Sequence, residues 1–484
     1  MEIYKKRFFP PALITLALAV CLMPMTLGAH KTYIALVSIS ILGLLLYSLF
    51  KQFEVTILSL LVFRSFLDVF SEFHIPSVFA IGLDILAIIY IFFLFIGKKK
   101  IHFDRFGWIF LAWVLSQAIW PLLTATGGLE LGKEYLYDSI REWMRIFSWF
   151  VVYLISSQFK DRIHPEQVIN VLFCALIIPL FAATLQLILP VNALPEFLQS
   201  TSSPLFETAS RINGTLGHPN TFASFLVLFI GLTYWKMGQS KNTMVWGSFL
   251  AVEIFFLVST KALFSLPMLA TLLLVLIIPE FKVKSLIGIL FVLLLFVALF
   301  ASSEFGRERL ASISETPLLN PDMTLNRAIL LSWSDGNSFN WRLAQWNFLI
   351  EEWKQAPFFG YGLGLARFIG PLRNYAHNDY VRVLVENGLI GALFFLLFYF
   401  SQLAYLVNQY TSSISRVRKK FCLCLIAIFL ATLMGMVTEN IWTHTTFFFY
   451  WWALVPMVSF NWVNAQETEK PFTPHRRYQS NVQS

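Results

Sequence analysis

Long apolar runs separated by short polar segments extend over most of the chain. Most runs contain about 20 residues, the length that an α-helix needs to cross the hydrocarbon core of a bilayer. The runs lie at approximately 10–28, 32–50, 54–72, 76–97, 106–122, 143–157, 167–189, 219–235, 244–260, 262–279, 285–302, 388–407, 421–437 and 443–462. The pattern predicts an all-α polytopic integral membrane protein with about 12–14 transmembrane helices.

Composition excludes a soluble globular protein. Hydrophobic residues make up 57% of the 484 residues and charged residues only 13%, whereas soluble domains carry roughly a quarter charged residues. The net charge of +8 does not indicate a nucleic-acid partner, because most basic residues lie in short loops between apolar runs, where they orient a membrane protein. The four cysteines lie inside apolar runs and are expected to pack as small apolar side chains.

The distribution of Lys and Arg predicts which loops face the cytoplasm. Clusters such as Lys98–Lys100 and Arg416–Lys420 fall on one side when the runs alternate across the membrane, and basic loops are typical of the cytoplasmic side. Both termini are then cytoplasmic. Three polar segments, 190–220, 259–261 and 303–386, fall together on the opposite side. Convergence on one face is what an extracytoplasmic active site requires.

The apolar runs and one long polar segment divide the chain into four predicted parts. These are an N-terminal transmembrane bundle (1–302), a periplasmic loop (303–387), C-terminal transmembrane helices (388–462) and a disordered cytoplasmic tail (463–484). The long loop is expected to be partly helical, because a bare connector of this length is uncommon. Ser338 or Asn340 is predicted to cap a helix that runs to about Gln355, and its tryptophans favour the membrane interface.

Three polar motifs lie on the predicted outer side. They are Arg-x-x-Gly-x-x-x-His-Pro-Asn at 211–220, Pro-x-x-Gly-Tyr-Gly-Leu-Gly at 357–364 and His-Asn-Asp-Tyr-x-x-x-Leu-x-Glu-x-Gly-x-x-Gly at 377–391. The glycines of the second motif have no preceding strand and no following Lys-Ser/Thr, so they do not indicate a nucleotide loop. We expect them to let the backbone pass close to a helix or a lipid headgroup.

The three motifs resemble those of the O-antigen ligase and polysaccharide polymerase superfamily. The resemblance implies a glycosyltransferase of the bacterial inner membrane with an active site that faces the periplasm. It implies an undecaprenyl-diphosphate-linked glycan as donor, and lipid A-core or another glycan as acceptor. The family usually offers a second arginine in the outer loop after the ninth span, where this chain has Lys261.

The residue types support the same chemistry. His377 is the predicted general base for the acceptor hydroxyl, because an imidazole titrates near neutral pH. Arg211 is predicted to bind the leaving diphosphate, because a guanidinium binds phosphate oxygens bidentately. The candidates for further contact with the diphosphate or the acceptor are Lys261, Arg342, Arg373, Asn378 and Tyr380, with Arg367 as another cation that is able to share this role. Direct attack of a hydroxyl would invert the anomeric centre.

No cofactor or metal is expected, because the sequence lacks the ligand spacing of a metal site.

Several of these residues also have a structural interpretation. In this interpretation His377 caps the helix that follows, and Arg211 binds lipid headgroups. His218 is expected to precede a helix with Pro219 in its first turn, while Glu386 and Gly388 are expected to shape the start of a helix.

The charged residues inside predicted spans, Arg64, Asp68 and Asp84, are expected to pair with one another.

Two functional alternatives remain open at this stage. One is a polymerase that joins lipid-linked repeat units of O-antigen or exopolysaccharide, since it would share the donor chemistry. The other is a transporter of an anion or a lipid-linked sugar, for which internal repeats and polar residues at the midplane of several helices are typical. The polar residues of this chain cluster outside the predicted spans instead.

Overall fold

A computed structural model describes residues 47–199, 211–280, 338–370 and 373–462, together with positions 43 and 45 and scattered positions from 287 to 331. Within this part of the chain the protein is helical and contains no strand. The predicted span 10–28, most of 32–50, half of 285–302 and the predicted cytoplasmic tail lie outside the described residues. The four predicted parts of the chain stay predictions.

In the described part of the chain, most α-helices follow the apolar runs, with short 3₁₀ turns between several of them. In chain order they are α1 (Phe53–Arg64), α2 (Ile75–Ile96), α3 (Arg105–Gln117), α4 (Ile119–Thr126), α5 (Leu136–Ser157), α6 (Pro165–Leu172), α7 (Ile177–Ile188), α8 (Pro219–Met237), α9 (Thr243–Ser259), α10 (Ser265–Ile277), α11 (Ser338–Trp353), α12 (Ala366–Ile369), α13 (Asp379–Thr411), α14 (Arg416–Gly435) and α15 (Thr445–Leu454).

Among the described residues, four helical segments are long and apolar enough to cross a membrane. They are α2, Arg105–Thr126, Pro165–Ile188 and α13, and α9 and α10 are shorter apolar helices. The all-helical membrane class predicted from the apolar runs is therefore confirmed. The count of 12–14 spans, the periplasmic position of the long loop and the orientation of the chain stay predictions.

Helix α15 lies at the centre of the bundle. Every residue from Thr446 to Leu454 is buried, and the helix packs against α5 and α8. Trp149 of α5 stacks on Phe448, with ring centroids 4.1 Å apart. In contrast, Phe92 and Phe95 of α2 are exposed, as expected for a helix surface that faces lipid. The fold thus has an aromatic interior and an apolar exterior.

Helix α13 begins earlier than its apolar run. The run starts near residue 388, whereas the helix starts at Asp379 and is broken at Gly388 (φ +64°, ψ −166°), where the apolar run begins. The added turns carry Arg382 and Glu386, both buried. Arg382 Nη2 donates to Glu142 Oε1 at 2.8 Å, and its Nε donates to Glu386 Oε1 at 2.9 Å. Because these charges are paired inside the protein, a helix forms where hydropathy alone indicates a loop.

The glycine motif lies against α13, as the sequence predicts. Gly360 has φ +66°, and a Cβ there would come within 2.4 Å of the Val385 carbonyl oxygen. Tyr361 N donates to that oxygen at 3.0 Å, and Gly362 N donates to Glu386 O at 2.8 Å. The prediction that these glycines permit close approach to a helix is confirmed.

The charged residues expected to pair within the spans do so only in part. Arg64 Nη1 and Asp68 Oδ1 form an ion pair at 2.7 Å, as predicted. Asp84 does not join them, and its Oδ2 accepts a hydrogen bond from Ser148 Oγ at 2.6 Å. The prediction for Asp84 is wrong because α5, which is distant in sequence, supplies a hydroxyl next to it.

Candidate functional site

Two of the predicted outer loops meet at Arg211. Its Nε donates to the carbonyl oxygen of Thr260 at 2.9 Å, and its Nη2 donates to Asn220 Oδ1 at 2.8 Å. Asn220 lies in the first turn of α8, whose N-cap is His218 and whose first residue is Pro219. His218 accepts the Asn220 backbone N–H through Nδ1 at 3.1 Å. The predicted role of His218 as a helix-entry residue is confirmed.

Glu439 connects this loop to His377. Its Oε1 lies 3.0 Å from His377 Nδ1, and its Oε2 accepts a hydrogen bond from Asn220 Nδ2. Arg342 Nη2 lies 3.7 Å from the same Oε2. These five residues, Arg211, Asn220, Arg342, His377 and Glu439, are called the His377–Glu439 cluster below. The cluster brings the predicted base and the predicted diphosphate-binding arginine into one hydrogen-bonded chain.

The charge of Glu439 decides which partner donates in its hydrogen bond with His377. Burial raises the pKa of the Glu439 carboxyl, but His377 and the Arg342 guanidinium outweigh burial and hold this pKa well below its usual value. The carboxylate is therefore ionised and accepts hydrogen bonds only. His377 Nδ1 is therefore the donor in this hydrogen bond, and Nε2 is the ring nitrogen that does not face Glu439. The His377 side chain remains 19% exposed.

Helix α11 holds the segment that precedes His377. Gln345 Nε2 donates to Asn374 O at 2.8 Å, and Trp346 Nε1 donates to Ala376 O at 2.5 Å. The Trp341 ring meets the His377 ring edge to face, with centroids 5.3 Å apart. The predicted helix over this part of the loop is confirmed. Its side chains contact the His377 ring and the backbone just before it.

The segment after His377 is fixed to the loop that carries Glu439. Asp379 N donates to Met436 O at 2.9 Å, and Asp379 Oδ2 accepts from Trp442 N at 2.9 Å. Asn378 caps α13, with its Oδ1 accepting from Tyr380 N and Val381 N at 3.0 Å each. Because two backbone segments are joined on both sides of the pair, the distance between His377 and Glu439 is set by the fold.

The other predicted site residues have different positions. Lys261 follows Thr260, whose carbonyl oxygen binds Arg211. The Tyr380 hydroxyl donates to Leu433 O at 2.8 Å, and Asn378 is used as a cap, so both are engaged within the fold. Arg373 is exposed, and its side chain has no hydrogen bond or ion pair to the residues that the structure describes. The roles of these residues in binding substrate stay predictions.

Arg367 has a structural partner. Its Nη2 forms an ion pair with Asp138 Oδ1 at 2.5 Å, and its guanidinium lies over the rings of Phe368 and Tyr375. Nothing in its described contacts connects it to the His377–Glu439 cluster.

Glu439 is the site residue that sequence reasoning missed. It lies in a short polar segment between the apolar runs 421–437 and 443–462. The predicted topology puts this turn on the same side as His377 and Arg211. An acidic residue beside two apolar runs is costly unless it is paired, and that was the available signal.

The described residues contain no group of three or more His, Cys, Asp or Glu side chains that is arranged to hold a metal ion. His444, which is buried near the cluster, forms a hydrogen bond through Nδ1 with Ser224 Oγ at 2.8 Å. Independence of metal and cofactor stays a prediction.

Comparison with known families bears on this site. One family model matches residues 246–396, about a third of the chain. The matched segment contains Lys261, Arg342 and His377, while Arg211 and Glu439 lie outside it. No curated protein matches the chain. The matching family is described as O-antigen ligase (Wzy_C), so the predicted resemblance is confirmed over residues 246–396.

Proposed function

We propose that this protein transfers a glycan from an undecaprenyl-diphosphate-linked donor to an acceptor hydroxyl, in the manner of an O-antigen ligase. The active site faces the periplasmic side of the bacterial inner membrane. The observation that carries the proposal is the continuous contact from Arg211 through Asn220 and Glu439 to His377. It unites a base and a phosphate-binding cation at a site next to apolar helices.

The proposed reaction is a single displacement. His377 Nε2 accepts the proton of the acceptor hydroxyl, and the hydroxyl oxygen forms a bond to the anomeric carbon of the donor. The bond between that carbon and the diphosphate oxygen breaks, and the carrier diphosphate leaves with the electron pair. The anomeric configuration inverts, and the proton stays on the imidazolium until it passes to solvent or diphosphate.

Glu439 supports this reaction through charge. An imidazolium that forms at His377 would lie 3.0 Å from an ionised carboxylate, which stabilises the positive charge as the proton arrives. Arg342 lies next to the other carboxylate oxygen of Glu439, and Arg211 is connected to that oxygen through Asn220. We propose that they, with Lys261, bind the diphosphate that becomes more negative as it leaves.

Reconstitution tests this function directly. The full chain is placed in liposomes with carrier-linked glycan and a candidate acceptor, and glycan transfer is followed by gel. His377→Ala is expected to abolish transfer while the protein remains folded by size-exclusion chromatography. His102→Ala is the matched control, because its ring makes only a 3.7 Å contact with an exposed Asp161. Transfer at the wild-type rate by His377→Ala would refute the mechanism.

The same assay separates the ligase from the polymerase. A ligase places the glycan on lipid A-core, whereas a polymerase lengthens the chain that remains attached to the carrier. Both products require the same donor chemistry at the His377–Glu439 cluster, so the acceptor alone distinguishes them.

A further inference from the structure

A polar cavity lies beside the His377–Glu439 cluster. It has a volume of about 740 Å³ and is bounded by α2, α5, the loop that leads into α8 and the turn before α15. His218 and Thr221 line it, while Asn220, between them in the sequence, binds Glu439. The two sites therefore share the first turn of α8 as a wall.

The lining of the cavity has an excess of cationic groups. Arg64, Arg141 and Arg145 all line it, whereas Asp68 is the one acidic residue among the described residues of the lining. Arg64 is paired with Asp68 at 2.7 Å, and Arg145 is paired with Glu142 at 2.7 Å. Arg141 is exposed and forms no ion pair with any residue that the structure describes. One guanidinium is thus left to bind an anion from outside the protein.

The other lining groups are suited to a sugar. Ser71, Ser77, Thr221, Thr443 and Thr445 contribute hydroxyl groups, which donate and accept hydrogen bonds as sugar hydroxyls require. The volume is within the range of about 300–1,000 Å³ that is common for sites of small ligands. A guanidinium among hydroxyl groups fits a sugar that carries a phosphate or carboxylate.

One edge of the cavity is apolar and opens on the outer surface of α2. Val78 and Ile81 line it and are 59% and 45% exposed, on a helix that is apolar enough to span a membrane. A ligand that enters here has lipid on one side and the polar lining on the other. The edge therefore fits a glycolipid whose sugar enters the cavity while its chains stay in the bilayer.

We propose that this cavity binds the acceptor, a glycolipid with a phosphate or carboxylate on its sugar, and that Arg141 binds this anionic group. The assignment to the acceptor rests on the proposed glycan transfer. Because the wall is shared, an acceptor bound here lies next to the cluster that binds the donor.

Kinetics in reconstituted liposomes test the assignment. Arg141→Gln is expected to raise the KM for the acceptor about tenfold while the KM for the donor changes less than twofold, and Arg141→Lys is expected to restore most of the loss. Lys133→Gln is the matched control, because Lys133 is exposed shortly before α5 and does not line the cavity. A rise in the KM for the donor, or none for the acceptor, would refute the proposal.

A binding measurement separates this proposal from the proposed transfer. Radiolabelled inorganic diphosphate is equilibrated with the purified full-length His377→Ala variant in neutral detergent, where no transfer is required. Diphosphate is expected to occupy a class of sites that Arg141→Gln, in the same background, weakens at least tenfold and that Lys133→Gln does not change. If Arg141→Gln leaves binding unchanged, the anion site is refuted even where transfer is observed. If the site binds diphosphate and no transfer occurs, only the assignment to an acceptor is lost.

Discussion

Two groups of carboxylates and cations in this protein are built from similar residues and differ in exposure. The first is the His377–Glu439 cluster. The second, called the Glu142 network here, joins Arg145, Glu142, Arg382 and Glu386. Both place a glutamate between positive partners, and both connect segments that are far apart in the sequence.

The difference lies in what the charges can reach. In the Glu142 network Arg382 and Glu386 are each 2% exposed, and Glu386 also accepts from Gly364 N at 2.8 Å. In the cluster His377 and Arg342 remain 19% and 25% exposed. At Arg382 and Glu386 the network is closed and holds the glycine motif on α13, whereas the cluster keeps groups available for a ligand. Exposure, rather than residue type, separates a structural network from a candidate site.

The largest expected effect comes from opening the Glu142 network. Arg382→Ala leaves Glu142 and Glu386 as buried carboxylates with fewer partners, which is expected to cost about 3–5 kcal/mol of folding free energy. Thermal unfolding of the protein in detergent measures the loss. The control is Lys354→Ala, which removes an ion pair with the exposed Glu351 and is expected to change stability by less than about 1 kcal/mol. Equal losses of stability in the two variants would contradict a structural role for the buried Glu142 network.

A smaller change in free energy, measured as a loss of glycan transfer rather than of stability, is expected for a substitution in the His377–Glu439 cluster. Glu439→Gln keeps the shape of the side chain but removes the charge that stabilises an imidazolium at His377. Transfer is expected to fall about a hundredfold, while the protein remains folded. The rate of transfer in reconstituted liposomes measures the activity, and the elution profile of the same preparation in size-exclusion chromatography shows whether the protein is folded. A variant that loses its fold together with its activity would show that Glu439 is structural, like Glu142.

The smallest expected effect is the pH dependence that Glu439 gives to stability. The folded protein holds the pKa of this carboxyl well below its usual value of 4.5, so the folded state binds this proton less readily than the unfolded state does. The stabilisation is complete above about pH 4.5 and is lost as the pH falls further towards the folded pKa, by at most about 1.4 kcal/mol per pH unit.

Thermal unfolding of wild type and Glu439→Gln from pH 7 to pH 3 checks this sign. The two profiles are expected to run parallel above about pH 5, and the wild type is expected to lose stability more steeply below about pH 4.5. The opposite divergence, with Glu439→Gln the steeper, would contradict an ionised Glu439.

Sequence and structure agree best where local pattern decides the outcome. The helix expected to start at Pro219 does start there, with His218 as its N-cap. A proline is preorganised for the first helical turn, and its missing N–H costs nothing there. Gly360 lies against α13, because its freedom at positive φ permits an approach that a side chain would block. Arg211 and His377 were identified through motifs that surround each of them.

Agreement ends where the partner comes from a distant part of the chain. Asp84 is bonded to Ser148 rather than to Arg64. A helical segment from Asp379 to the break at Gly388 lies ahead of the predicted span, and its Arg382 is paired with Glu142. A hydropathy scale gives every charged residue the same free-energy cost of burial. In the folded protein that cost depends on whether another segment places an oppositely charged or hydrogen-bonding group beside it.

The sequence by itself determined the helical membrane class, the approximate helix positions and the identity of the candidate base and its cation, because apolar periodicity and short motifs are local properties. Only the tertiary structure decided that Glu439 joins them, that α11 supports the imidazole, and that a cationic cavity lies behind the first turn of α8. Each of these depends on distances between segments that the chain connects through hundreds of residues, and such distances are set by packing of the whole bundle.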